Sequence, residues 1–199
     1  QMALDHACRF RNTARADDSF RAPHAALRTW VPTSPGEPLW ELDWWENALY
    51  MSAYHLTPSN ADEYVSAVLK FRPRYLKGYP SSLNFLAECA YSQRMKLSFI
   101  KGTFTASEIL LPSERANIEK TFGSSLYDWY GMSEPSVIVT ERTDHCGMEV
   151  NWESGYPEFL IDSILGENQH RLVATSIQNP VMPFIRYDTG DILLLGESL

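Results

Sequence analysis

Ser125-Leu126-Tyr127-Asp128-Trp129-Tyr130-Gly131-Met132-Ser133-Glu134 reads as a strand that runs into a turn. Its first six residues favour a pleated, partly buried surface, and Gly131 then frees the backbone. Upstream of it the chain alternates. Arg74 to Tyr79 is strand-like, Pro80-Ser81-Ser82 opens a helix to about Arg94, and Leu97 to Thr105 is strand-like again. Pro112 opens a second helix to about Phe122, which Gly123 closes. Strand, helix, strand, helix, strand with short links calls for parallel strands and crossover helices, hence an α/β layer.

Further upstream, a helix is expected over about 2 to 15, within an arginine-dotted polar stretch. Pro32-Thr33-Ser34-Pro35-Gly36-Glu37-Pro38 is a loop, and Trp40, Trp44 and Trp45 are expected to pack beneath it. Leu49 to Tyr54 reads as a short buried strand or turn leading into His55. Asn60 with Glu63 has the spacing of a capping box, and Tyr64, Val65, Val68 and Leu69 share one face of the helix that Pro73 ends. From Val137 onward the helical period disappears. Short β-rich runs take over at 136–140, 148–152, 158–164, 171–177 and 192–195, separated by turns at Gly147, Gly155-Tyr156-Pro157, Gly166-Glu167-Asn168 and Asn179-Pro180. This pattern predicts an antiparallel sheet or partial barrel. The chain thus divides into an α/β portion, 1–135, and a β-rich subdomain, 136–199.

The 199 residues carry 44% hydrophobic and 13% aromatic side chains, enough for a core. A formal net charge of −8 argues against a general nucleic-acid binder, which needs a basic surface, but leaves room for a nucleotide site built from a few local donors. No apolar run approaches the ~18 residues that span a membrane, and no signal peptide is legible at the start of the chain. Three cysteines, Cys8, Cys89 and Cys146, form no disulfide framework and fit a reducing cytoplasm.

A second stretch, Ile185-Arg186-Tyr187-Asp188-Thr189-Gly190-Asp191, begins fifty-five residues after Tyr130. A site for ATP needs a flat partner for adenine, an acceptor for the ribose hydroxyls, donors for phosphate and hard oxygens for Mg²⁺. Tyr130, at a strand end where open α/β sheets place ligands, could stack on adenine, and Gly131 lets the backbone come close. Ser133 offers a hydroxyl to phosphate, and Glu134 a carboxylate to Mg²⁺. Asp191, placed after a Thr-Gly turn, could accept from both ribose hydroxyls.

Asp128 to Glu134 resembles the Tyr-Gly-x-(Ser/Thr)-Glu motif of the adenylate-forming, or acyl-activating, enzymes, and Arg186 to Asp191 resembles their Tyr-x-Thr-Gly-Asp motif. Thr103-Phe104-Thr105-Ala106-Ser107-Glu108 resembles the segment lining the adenine and acyl pocket. Lys77 to Leu83 and Ser52-Ala53-Tyr54-His55-Leu56 look like the phenylacetate–CoA ligase branch, particularly its capsule-biosynthesis ligase-like members. The resemblance covers about residues 45 to 195 and implies a reaction. A small-molecule carboxylic acid attacks the α-phosphate of ATP, and the acyl group then passes from AMP to a thiol, usually coenzyme A. It also implies site residues: Tyr130, Gly131, Asp128, Ser107, Glu108 and Asp191 for the nucleotide, Ser133 and Glu134 for catalysis with Mg²⁺ on Glu134, and Tyr54 and His55 at the acyl pocket.

The family's Ser/Thr/Gly-rich phosphate loop and its C-terminal lysine domain have no counterpart in these residues. The expectation is therefore a central piece of such an enzyme, inactive alone. A degenerate, non-catalytic relative that binds nucleotide or a protein is the alternative. A cut sheet tends to pair its open edges, so a homodimer is expected, and a monomer by light scattering would count against it.

Plain structural readings compete at several positions. Ser81 and Ser82 are most simply helix caps, Glu108 could merely precede a helix, and His55 is more often a satisfied buried histidine than a gate. Adjacent His145 and Cys146 lack the spacing of a zinc site.

Overall fold

The computed structural model describes residues 2–195 except 17–20, 33–35, 96, 135, 162–163, 165, 167 and 178–179. The chain divides into two compact units, a larger one of Thr13–Asp128 and a smaller one of Gln1–Asn12 with Trp129–Leu199. The expected N-terminal helix is α1 (Met2–Ala14).

The larger unit contains β1 (His24–Arg28), β2 (Trp40–Asp43), β3 (Ala48–Ser52), α2 (Ala61–Phe71), β4 (Tyr75–Gly78), α3 (Pro80–Ser92), β5 (Gly102–Ala106), α4 (Pro112–Phe122) and the start of β6 (Ser125–Gly131). The strand order is β2-β3-β1-β4-β5-β6. β1 runs parallel to β3 and β4, and β4 parallel to β5. β2 alone turns back, antiparallel on β3. This is the α/β layer the alternation predicts.

Because side chains alternate across a strand, one face of this sheet presents Ala25, Leu27, Leu49, Met51 and Leu76 to the helices. Tyr64, Val65 and Val68 of α2, Leu83, Leu86 and Ala87 of α3, and Ile118 and Phe122 of α4 close that core. The stripe read on α2 is thus its core face, with Leu69 only partly buried against it. On the other face Tyr75, Phe104 and Tyr127 form a smaller cluster, Phe104 and Tyr127 stacked at 5.8 Å.

The helix punctuation follows the sequence. Pro80 and Pro112 open α3 and α4. α2 ends with Arg72 left-handed at φ 54°, its N–H donated to the Val68 carbonyl, just before Pro73. α4 ends on Gly123 at φ 67°. The start of β6 is tied back to α4: Glu119 accepts from the Leu126 N–H at 2.9 Å, and Arg115 donates to the Leu126 carbonyl at 2.9 Å.

Three local expectations are corrected. Asn60 makes no side-chain cap; its amide is spent on the preceding loop, accepting from Thr57 N–H and donating to the His55 carbonyl. The strand expected over 97–105 begins only at Gly102, since Leu97 and Ile100 are buried from a turn. Of the tryptophans, only Trp40 packs inward, edge-on to Tyr64 at 5.8 Å. Trp44 and Trp45 are exposed at the tip of the β2–β3 hairpin, where Asp43 accepts from the Trp45 and Glu46 N–H groups and shapes the turn. Residues 33–35 of the proline-rich loop lie outside the described residues.

In the smaller unit the end of β6 pairs antiparallel with β7 (Ile138–Glu141), and β7 with β8 (Met148–Val150). β9 (Gly155–Ile161), β10 (Gln169–Ser176) and β11 (Tyr187–Leu194) form an antiparallel sheet with β10 central, so the antiparallel alternative holds. Val137, Leu172 and Ala174 are its buried cluster. Arg11 of α1 bonds Asn151 and pairs with Glu153 at 2.5 Å. The turn expected at Gly155-Tyr156-Pro157 is instead the start of β9. Gly155 is there for close approach: a Cβ on it would lie 1.6 Å from the Ser136 carbonyl oxygen. The turns expected at 166–168 and 179–180 each include a residue, 167 or 179, outside the described ones.

None of the three cysteines is in a disulfide; Cys8 is buried and Cys146 exposed. Among the described residues no helix is long and apolar enough to cross a membrane.

Candidate functional site

In the smaller unit the first motif leaves the sheet at the end of β6. Tyr130 pairs with Val139 and Gly131 with Ile138, after which the chain turns away through Met132. Ser133 is exposed and Glu134 half-buried.

The second motif, from Tyr187 to Asp191, lies inside β11, which corrects the expected Thr-Gly turn. Arg171 of β10 faces Ile192 and Val173 faces Asp188, so Thr189, Gly190 and Asp191 all stand opposite Leu172. Three residues against one is a bulge, a device that re-aims side chains. The sequence supplies what the bulge needs. Gly190 takes φ 78°, the left-handed region that glycine enters without steric cost. Thr189 donates its hydroxyl to the Leu172 carbonyl at 3.0 Å and accepts from the Asp191 N–H at 3.1 Å. The Arg186 N–H donates to Thr175 at 2.9 Å, and Arg171 pairs with Asp188. The motif is therefore pinned to β10 before and within the bulge.

The two motifs meet. The Tyr130 hydroxyl donates to Asp191 Oδ2 at 2.5 Å, and the Tyr187 hydroxyl donates to Glu134 Oε1 at 3.1 Å. Partial burial, then the bond to Asp191, pushes the Tyr130 phenol well above its usual range, so it stays a protonated donor. The bond to Glu134 raises Tyr187 in the same direction.

The remaining predicted residues belong to the larger unit. Asp128 accepts the Thr105 hydroxyl at 2.6 Å, joining the end of β5 to the middle of β6. Ser107 follows β5 at φ 70°, an uncommon conformation for a residue with a side chain. Glu108 accepts from the Ser81 N–H at 3.1 Å. This carboxylate, and not Ser81 or Ser82, serves the amino end of α3, where a negative group is favoured. Tyr54 is exposed, whereas His55 is held by its Nδ1 contact with Ser52 Oγ at 2.8 Å.

Tyr187, Thr189 and Arg171 are the residues sequence reasoning passed over. One signal was available for the first: Tyr130 and Glu134 are four positions apart, as are Tyr187 and Asp191, so each motif pairs a tyrosine with an acid at the same spacing.

Chemically, the smaller unit offers an aromatic ring beside a carboxylate for a nucleoside, and a second, hard carboxylate for a cation. Among the described residues no cluster of three or more His, Cys, Asp or Glu is arranged to hold a metal. One carboxylate is nevertheless the donor set that suits Mg²⁺, which keeps its waters and takes phosphate oxygens as further ligands.

No protein-family profile matches the chain. Protein CapK of Staphylococcus aureus is 30% identical over 154 residues, 77% of this chain and 33% of that protein. The chain thus spans about a third of the length of the curated relative it matches. A 2-hydroxyisobutyryl-CoA ligase, solved in an open conformation with 2-HIB-AMP and CoA, superposes with a TM-score of 0.67 at 20% identity, covering 92% of this chain and 45% of that one. The anthranilate CoA ligase AuaEII, solved with anthranoyl-AMP, gives 0.62 at 14% identity over 89% of this chain and 38% of that one. The shared feature is the fold.

Proposed function

We propose that this chain, which carries the fold of the adenylate-forming CoA ligases, is the central part of an enzyme that activates a carboxylic acid with ATP and transfers the acyl group to a thiol such as coenzyme A. The observation that carries this reading is the meeting of the two motifs, Tyr130 on Asp191 and Tyr187 on Glu134. Motifs that resemble nucleotide-binding segments and also converge in space are hard to assign to chance.

In this reading the carboxylate oxygen of the acid attacks the α-phosphorus, and pyrophosphate leaves with the electron pair of the broken P–O bond. The thiol then displaces AMP from the acyl carbon. Tyr130 stacks on adenine, Gly131 lets the backbone approach, and Asp191 accepts the ribose hydroxyls. Ser133 donates to a phosphate oxygen. Glu134 holds Mg²⁺, which when bound neutralises charge that builds on the phosphate. Asp128, Ser107 and Glu108 border the nucleotide, and Tyr54 and His55 the acyl pocket. An aromatic acid, as in the phenylacetate–CoA ligase branch, is the substrate class we favour. The reading carries a cytoplasmic location with it, in keeping with cysteines that are held as thiols. The chain alone is inactive in this proposal.

Calorimetric titration of the folded chain with ATP and Mg²⁺ tests it. Binding that falls at least tenfold in Asp191→Ala supports the nucleotide assignment. Binding equal in the two proteins would overturn it.

A further inference from the structure

Each motif contributes one donor and one acceptor to the contact between them. Tyr130 and Glu134 come from the first, Tyr187 and Asp191 from the second, and each tyrosine donates to the other motif's acid. The ligase reading gives a ligand-facing role to Tyr130, Glu134 and Asp191 and none to Tyr187.

We propose that Tyr187 is a positioning residue for the cation-binding carboxylate, its hydroxyl fixing Glu134 before the cation arrives. The inference rests on the ligase reading above. A glutamate leaving a strand end has three free torsions, and any cation that it binds must first order them. A donor held on Oε1 removes much of that freedom in advance. It also leaves capacity, because an ionised carboxylate offers about four lone-pair sites and one phenol uses one.

Tyr187 suits the task because it is fixed itself. It faces Ala174 in the β10–β11 pairing, next to the Arg186 N–H bond to Thr175. Its ring meets Phe184 edge-on at 5.1 Å. The same strand then carries the bulge that aims Asp191, so the cation arm and the ribose arm share one backbone. A cation held by Glu134 is thereby registered against a nucleoside held by Asp191, as a nucleotide with its metal requires.

The test is titration of the 199-residue chain with Mn²⁺, a hard-oxygen stand-in for Mg²⁺, and separately with adenosine in the presence of a chelator. Tyr187→Phe keeps the ring on Phe184 and deletes only the hydroxyl. We expect it to weaken Mn²⁺ about tenfold, the scale on which removal of a ligand's supporting partner acts, while adenosine affinity changes less than about twofold. Mn²⁺ affinity equal to the parent's overturns the proposal. So does a parallel loss of Mn²⁺ and adenosine, which marks a merely structural hydroxyl. Glu134→Gln separates the two levels. If it leaves Mn²⁺ binding intact, the cation role of Glu134 falls and the positioning role falls with it. If it abolishes binding while Tyr187→Phe binds Mn²⁺ as tightly as the parent, only the positioning role falls.

Discussion

The larger unit is built around a deep apolar core, the smaller around a shallow one. In the first, Tyr64, Val65, Leu76, Leu83, Leu86 and Ile118 are all fully buried between sheet and helices. In the second, Val137, Leu172 and Ala174 are backed mainly by partly buried neighbours such as Val139 and Phe159. The difference bears on chemistry. Burying a charge without full pairing is costly, so carboxylates that must stay ionised suit a shallow setting. Glu134 is half-buried and Asp191 exposed, both in the smaller unit. The depth of the larger unit supplies order, while the shallowness of the smaller leaves its charged groups accessible to a ligand.

The contrast can be broken most directly by truncating each core. Phe122→Ala is expected to cost about 3–5 kcal/mol and Leu172→Ala nearer 2, because a thin core relaxes around a deletion more readily. Urea unfolding read by circular dichroism compares them, and a larger loss for Leu172→Ala would reverse the ranking.

Next in size is a pH effect confined to the larger unit. Burial, and then the charge of Lys77, lowers the His24 imidazole from 6.5 to about 4. As pH falls below 6.5 the unfolded chain takes up this proton and the folded one does not. Stability is therefore full above about 6.5, falls between 6.5 and 4, and levels off below, by about 3 kcal/mol in all. The native chain should lose more stability than His24→Asn between pH 7 and 4.5; equal slopes would remove His24 from the account.

The smallest effects sharpen the comparison. Gly123 and Gly190 both have positive φ and open space where a Cβ would go. Gly123→Ala and Gly190→Ala should each cost about 1 kcal/mol of backbone strain. Only Gly190→Ala should also weaken ATP, since it alone sits in the bulge that carries Asp191. Matched ATP affinities for the two variants would detach the bulge from binding.

The larger unit was the more legible in sequence, for the same physical reason. Its helices announce themselves through Pro80, Pro112 and Gly123 and through a stripe that a deep core must match. What escaped there were side-chain partners decided by neighbouring loops, such as Asn60 turning to His55 and Glu108 reaching Ser81. In the smaller unit the strands lack such punctuation. Gly155 looked like a turn because its real reason, the passing Ser136 carbonyl, lies nineteen residues away in sequence. The candidate motifs were readable as strings. That Tyr187 and not only Asp191 faces the first motif depends on a register no local pattern encodes.

The bulge in β11 also constrains how this motif can vary in length. Tyr187 and Leu193 both pair with even-numbered residues of β10, Ala174 and His170, so the excess on β11 is two residues and the strand's alternation has the same parity on either side. One residue inserted or deleted between Asp188 and Ile192 would exchange the faces: Leu193 would leave the core and a neighbour would take its place. Two would not. Viable versions of this loop should therefore differ in length by even steps, a rule of counting imposed by the sheet and indifferent to which residues fill the gap.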